Sequence, residues 1–189
     1  IHEMLRLGPA GVQIVPGWHL HNGPRDSSGM AHERLQRQLR SLGRHAEIVV
    51  LDLGSGDRDL LRRFFNSADE VWLVTTPDDA AVMDSYACIK MNQSEGTAMR
   101  LQLVVNQATG QQAATDVHQR LELSCRRFLG SSIGLAGWVP FDSSAPRARE
   151  ASIPLLLFDP SGPATQAIHR LAGQLTSART LEDERRRAA

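Results

Sequence analysis

The arrangement in this sequence best suited to chemistry is an apolar run ending in an acid and two glycines, Glu47-Ile-Val-Val-Leu-Asp-Leu-Gly-Ser-Gly-Asp57. Asp52 falls where a buried strand would emerge from a sheet, and in open α/β sheets ligands sit outside that carboxyl end. Gly54 and Gly56 let the backbone turn sharply there and approach a bound group closely. Any chemistry this chain performs is expected at this stretch.

Other candidates carry weaker signals. The loop over residues 18–30 holds His19, His21, Asn22 and Asp26, and His19 with His21 could ligate a metal. Histidines in a Gly/Pro/Ser-rich loop are more often solvated surface groups, however. Cys88 and Cys125 lack any CxxC or Cys/His spacing and read as reduced core residues of a cytoplasmic protein. Among 21 basic residues Lys90 is the only lysine, and no G-x-x-x-x-G-K-[ST] phosphate loop occurs. Acidic residues also number 21, so no global field favours nucleic acid or an anionic membrane.

The elements that must position these residues follow from hydrophobic period. Residues 48–51 are aliphatic without polar alternation, the pattern of a strand buried on both faces. Further strands are predicted at 71–76, 101–105 and 133–139, with a short one inside 11–17. Leu35, Leu39 and Leu42 mark an amphipathic helix over 31–42 whose arginines form a solvated face. Helices follow at 59–66, with Leu60, Leu61, Phe64 and Phe65 inward, and at 80–92. The helix over 111–129 carries a stripe of Val117, Leu121, Ser124, Cys125 and Phe128, and a last helix spans 162–175. Residues 1–7 read as the end of a helix, Pro146 as the start of a helical turn, and 154–158 as extended. Alternating strands and helices predict an α/β fold, a mostly parallel sheet with helices on both faces. The 189 residues suit one domain over 1–176 and a charged tail over 177–189, with no apolar run of the roughly 18 residues needed to span a bilayer.

Asp52-Leu-Gly-Ser-Gly-Asp-Arg58 resembles motifs of two families. One is the S-adenosylmethionine-dependent methyltransferases, whose first motif often reads V-L-D-x-G-x-G-x-G, but Arg58 replaces its third glycine and the strand at 71–76 ends in Thr-Thr-Pro rather than a ribose-binding acid. The other is the MinD/ParA family of P-loop ATPases, whose switch II motif is D-x-x-x-G. Three further segments resemble that family in the same order. The stretch over 68–90, Ala-Asp-Glu-Val-Trp-Leu-Val-Thr-Thr-Pro-Asp-Asp and onward to Ala-Cys-Ile-Lys, is similar to A-D-E-V-x-x-V-T-T-P-E through A-x-I-K. Leu103-Val-Val-Asn-Gln107 resembles L-V-V-N-R, and Gly137-Trp-Val-Pro-Phe-Asp142 resembles G-x-V-P-x-D. The likeness is strongest to the flagellar-number regulators called FlhG, FleN or YlxH.

The resemblance implies a P-loop NTPase-like, three-layer α/β/α fold and an ATPase that dimerises around ATP. Such proteins associate with a protein partner or membrane to position or count a structure such as a flagellum. Asp52 would hold Mg²⁺ through water and Gly56, beside Gly54, would offer its N–H to the γ-phosphate. Asn106 would bond the adenine edge, the alternative being an Asn that caps the following turn. Pro140 and Asp142 would line the base pocket. Gln107 departs from the family's usual Arg. The family's P-loop and its strand, which lies between those at 48–51 and 71–76, have no counterpart here. The chain also opens on Ile1, so it is expected to be the C-terminal two-thirds of such a protein, inactive alone. The alternative is a non-catalytic scaffold that keeps the fold without a P-loop. The small, charged C-terminal end implies at most weak peripheral membrane binding.

Overall fold

The computed structural model describes residues 5–16, 29–42, 46–54, 58–94 and 99–188, and the chain divides into two compact units, 1–60 and 61–189. In the first unit β1 (Arg6–Leu7) pairs antiparallel with β2 (Gln13–Ile14) across a 3₁₀ turn at Pro9–Gly11. The sequence predicts a helix end at residues 1–7. The described part is instead strand, because Gly8 N–H donates to the Val12 carbonyl and folds the segment back as a hairpin. Helix α1 (Gly29–Leu42) forms where the leucine spacing places it.

Residues 48–51, predicted as a buried strand, are not one. They form no ladder with any described residue, and Val50 is 80% exposed. Four apolar residues in a row supply β propensity, but that preference expresses packing against strand neighbours and not a backbone tendency of its own. No described strand offers that partner.

The second unit realises the α/β fold. After α2 (Arg58–Phe65), which buries Phe64 and Phe65, the chain runs through β3 (Glu70–Thr75), α3 (Asp79–Asn92), β4 (Arg100–Ala108), α4 (Gln111–Leu129) and β5 (Gly134–Pro140). The strands form a parallel sheet in the order β3-β4-β5. Central β4 is buried on both faces. Leu101, Leu103 and Val105 join Val82 and Ile89 of α3 and Val117, Leu121 and Cys125 of α4 in the main core. Val104 points the other way, into a smaller cluster with Ala136 and Leu171. Each such aliphatic side chain removed from water stabilises the fold by about 1.5–3 kcal/mol.

Three short elements finish the unit: α5 (Ser144–Glu150), α6 (Leu155–Phe158) and α7 (Pro163–Ala188), the last supplying Leu171. Gly137 is required where α7 crosses β5. Its φ is +153° and a Cβ there would lie 3.0 Å from Leu171 Cδ2. Residues 154–158, predicted extended, instead make a helical turn. Pro154 sits at its start and accepts from the N–H groups of Leu157 and Phe158. The last helix continues past 175, through the charged residues, to Ala188.

Local polar groups fix the connections. Asp78 caps α3 by accepting from Ala81 N at 2.9 Å, as a short acidic side chain does at a helix start. The start of β5 is held by α4: His118 Nε2 lies 2.7 Å from the Ile133 carbonyl oxygen, and Ile133 N donates to Glu122 Oε2 at 2.6 Å. Phe128, predicted on the buried stripe of α4, is 65% exposed and lies beside the Arg127 guanidinium. Both cysteines are free, and burial, followed by the Glu122 charge, pushes the Cys125 thiol up to about 11.

Candidate functional site at the C-terminal edge of the sheet

Because β3, β4 and β5 run parallel, they all end at one edge, the edge where open α/β sheets bind ligands. Thr75, Asn106 and Pro140 stand at or near those ends. Asn106 pairs with Val139 and Ala108 with Pro140, so the predicted site residues Asn106 and Pro140 lie on neighbouring strands one step apart. Pro140 has no N–H to donate, and the ladder closes with it.

Asn106 is half-buried, and its side-chain amide makes no hydrogen bond among the described residues. The turn-capping alternative therefore finds no support: the α4 N-cap is Gly110, without a side-chain cap. A half-buried amide left without a partner forgoes about a hydrogen bond's worth of stability unless water or a ligand meets it. The step in pairing leaves Gln107 as the extra residue of a β-bulge, in the left-handed region with φ 57°.

Asp142 follows two residues after β5 and is buried. Its Oδ1 accepts from Ser144 N at 2.8 Å, at the start of α5, and its Oδ2 from Ala164 N at 3.1 Å, at the start of α7. These N–H groups, Ser144 first, hold its carboxyl below the usual range. Ser144 Oγ donates to Asp159 Oδ2 at 2.8 Å, and Thr165 Oγ1 to the Asp159 carbonyl at 2.7 Å. Asp142 thus joins two helix starts just after the end of β5. The sequence contains a sign of this link in the spacing Asp142-x-Ser144, but nothing local announces the reach to Ala164. On β3's side, Thr76 Oγ1 donates to Asp78, whose carboxyl is lowered first by that bond and then by the Ala81 N–H.

Asp52 and Gly54 belong to the first unit. Asp52 is exposed, and Gly54, at φ +55°, donates its N–H to Asp52 Oδ1 at 3.3 Å. That is an aspartate-led turn in which one carboxylate oxygen faces its own loop. The single carboxylate fits a cation held through its water shell, the way Mg²⁺ is commonly bound. No cluster of three or more His, Cys, Asp or Glu that could hold a metal occurs among the described residues. Gly56, with His19, His21, Asn22 and Asp26, lies outside the described residues.

No family model matches the chain. It is 26% identical over 177 residues to the antiactivator FleN of Pseudomonas aeruginosa, a match covering 94% of this chain and 63% of that protein. Against the flagellum site-determining protein YlxH of Helicobacter pylori it is 31% identical over 133 residues, covering 69% of this chain and 44% of the relative. An uncharacterized ATP-binding protein of Methanocaldococcus jannaschii is 25% identical over 180 residues, 95% of this chain and 64% of its own length. The chain thus spans less than two thirds of the length of each of these relatives. Over most of its length the chain is thus similar to FleN, and over about two thirds of it to YlxH, in keeping with the resemblance its motifs carry and with the parallel α/β sheet.

Proposed function

We propose that the chain is the larger part of a MinD/ParA-type ATPase that dimerises around ATP and uses hydrolysis to position or count a cellular structure such as a flagellum. The observation that carries the reading is the Asn106 amide, without a hydrogen-bond partner among the described residues, near Pro140 at the carboxyl edge of a parallel sheet. Likeness to a FleN antiactivator, a flagellum site-determining protein and an ATP-binding protein supports it. Asn106 binds the adenine edge, and Pro140 and Asp142 line the base pocket, Asp142 being held in place by Ser144 N and Ala164 N. Asp52 would hold Mg²⁺ through water, and Gly56 would offer its N–H to the γ-phosphate. Bound Mg²⁺ supplies charge neutralisation at the phosphates.

Most of the triphosphate's binding energy in this chemistry comes from a glycine-rich loop and its lysine, which the remainder of the protein must supply. No helix among the described residues is long and apolar enough to cross a membrane. In the full-length protein, Asp52→Ala is expected to abolish Mg²⁺-dependent ATP hydrolysis; undiminished turnover in that variant rejects the reading. A second reading, a scaffold that keeps the fold without catalysis, is favoured by one observation: the sequence contains no G-x-x-x-x-G-K-[ST] and a single lysine, Lys90. Full-length protein that binds its partner normally but never turns over ATP would establish that alternative.

A further inference from the structure

Three described non-glycine residues have a positive φ, Ala10, Gln107 and Ser152, and only Gln107 lies inside a strand. In an unbroken ladder, alternation from Val105 would send residue 107 to the face packed under α3 and α4. The bulge puts Ala108 there instead, buried at 1% exposure, and leaves Gln107 at the surface next to Asn106. Glycine would adopt the same left-handed backbone without strain. What the strained residue adds is therefore its side chain, a second primary amide directly after the first. Strain retained at a ligand-binding edge is the kind of outlier from which function can be argued.

We propose that Gln107 is a specificity-determining residue which, with Asn106, selects adenine over guanine. This rests on the nucleotide reading above. An Asn or Gln amide presents a donor and an acceptor side by side, the complement of adenine's amino group and adjacent ring nitrogen on the N6/N7 edge. Guanine shows two acceptors on that edge, so one amide atom would face a group of its own kind. The bulge brings both amides to the same end of β4, and the neutral pair reads the base without adding to the attraction for phosphate.

The test measures ATP and GTP binding to the full-length protein by calorimetry, with thermal midpoints, for wild type, Gln107→Gly and Gln107→Asn. Gln107→Gly is expected to raise the midpoint, by relieving the backbone, while lowering the ratio of ATP to GTP affinity about tenfold, the smaller end of what one amide–base pair contributes. Gln107→Asn, which tolerates the left-handed region and keeps an amide, is expected to retain part of that ratio. An unchanged ratio in Gln107→Gly overturns the proposal and leaves the nucleotide reading standing. Equal weakening of both nucleotides also overturns it, since that is the result of a loosened pocket rather than a lost contact. If the wild-type protein binds neither nucleotide, both readings fall together.

Discussion

Residues 48–51 and the centre of β4 are nearly interchangeable as sequence, and the structure treats them oppositely. Ile-Val-Val-Leu at 48–51 is exposed from end to end, between 38% and 80%. Leu103, Val104 and Val105 of β4 are each at most 4% exposed. β4 has a hydrogen-bonded parallel neighbour on each side and a helix layer over each face, whereas 48–51 has no ladder partner among the described residues. An apolar run therefore records a demand for burial, and the ladder decides whether that demand is met. On β3 the same rule is visible within one strand. Its pairing with β4 runs from Glu70 to Thr75, yet Val74, on a strand with a single neighbour among the described residues, remains 61% exposed.

The contrast can be broken by substitution. Leu103→Ala, at 0% exposure in the main core, is expected to cost about 3–4 kcal/mol in denaturant unfolding. A loss under about 1 kcal/mol would mean that the two runs are more alike than their burial says. A smaller effect is expected at Asp142, which joins the starts of α5 and α7. Asp142→Asn keeps the shape but loses the charge that strengthens bonds from Ser144 N and Ala164 N, a loss of about 1–2 kcal/mol at neutral pH. Because the folded carboxyl is held below its ordinary value, this stabilisation is present above the unfolded pKa of about 3.9 and is lost as pH falls through the lower folded value. The stability gap between wild type and Asp142→Asn should thus close in acid, below about pH 4. A gap that persists or widens there would remove the ionised cap.

Ser152 sharpens the comparison from the side of strain. Its φ of 54° lies in the turn between α5 and α6, so Ser152→Gly is expected to raise stability by about 0.5–1 kcal/mol, seen as a higher thermal midpoint. The least effect is expected at Val50, 80% exposed, where Val50→Thr should change unfolding by no more than about 0.5 kcal/mol. A large loss there would show that 48–51 is buried in solution after all.

Much of the second unit was legible from residue types alone. The aliphatic runs became β3, β4 and β5, and the spacing of Val117, Leu121 and Cys125 became the buried stripe of α4. Phe128 strayed from that stripe because its neighbour Leu129 is the residue of the last turn that packs against the main core, which leaves the Phe128 ring outside beside Arg127. The strand at 48–51 failed for want of a partner, which no local pattern can reveal. At the site, Asn106 and Pro140 were visible as residues ending apolar runs, and their adjacency follows from parallel order. The bulge at Gln107 and the bridge from Asp142 to Ala164 were not, since both depend on a register and a packing between segments far apart in the chain.

The most direct measurement is ATP binding by full-length Asn106→Ala beside the wild type, with thermal stability as the control. Loss of the base contact should weaken ATP affinity at least about tenfold while leaving the thermal midpoint nearly unchanged, because the amide holds nothing else within the described fold. Equal affinity in the two proteins would mean that the carboxyl edge of this sheet does not receive the nucleotide.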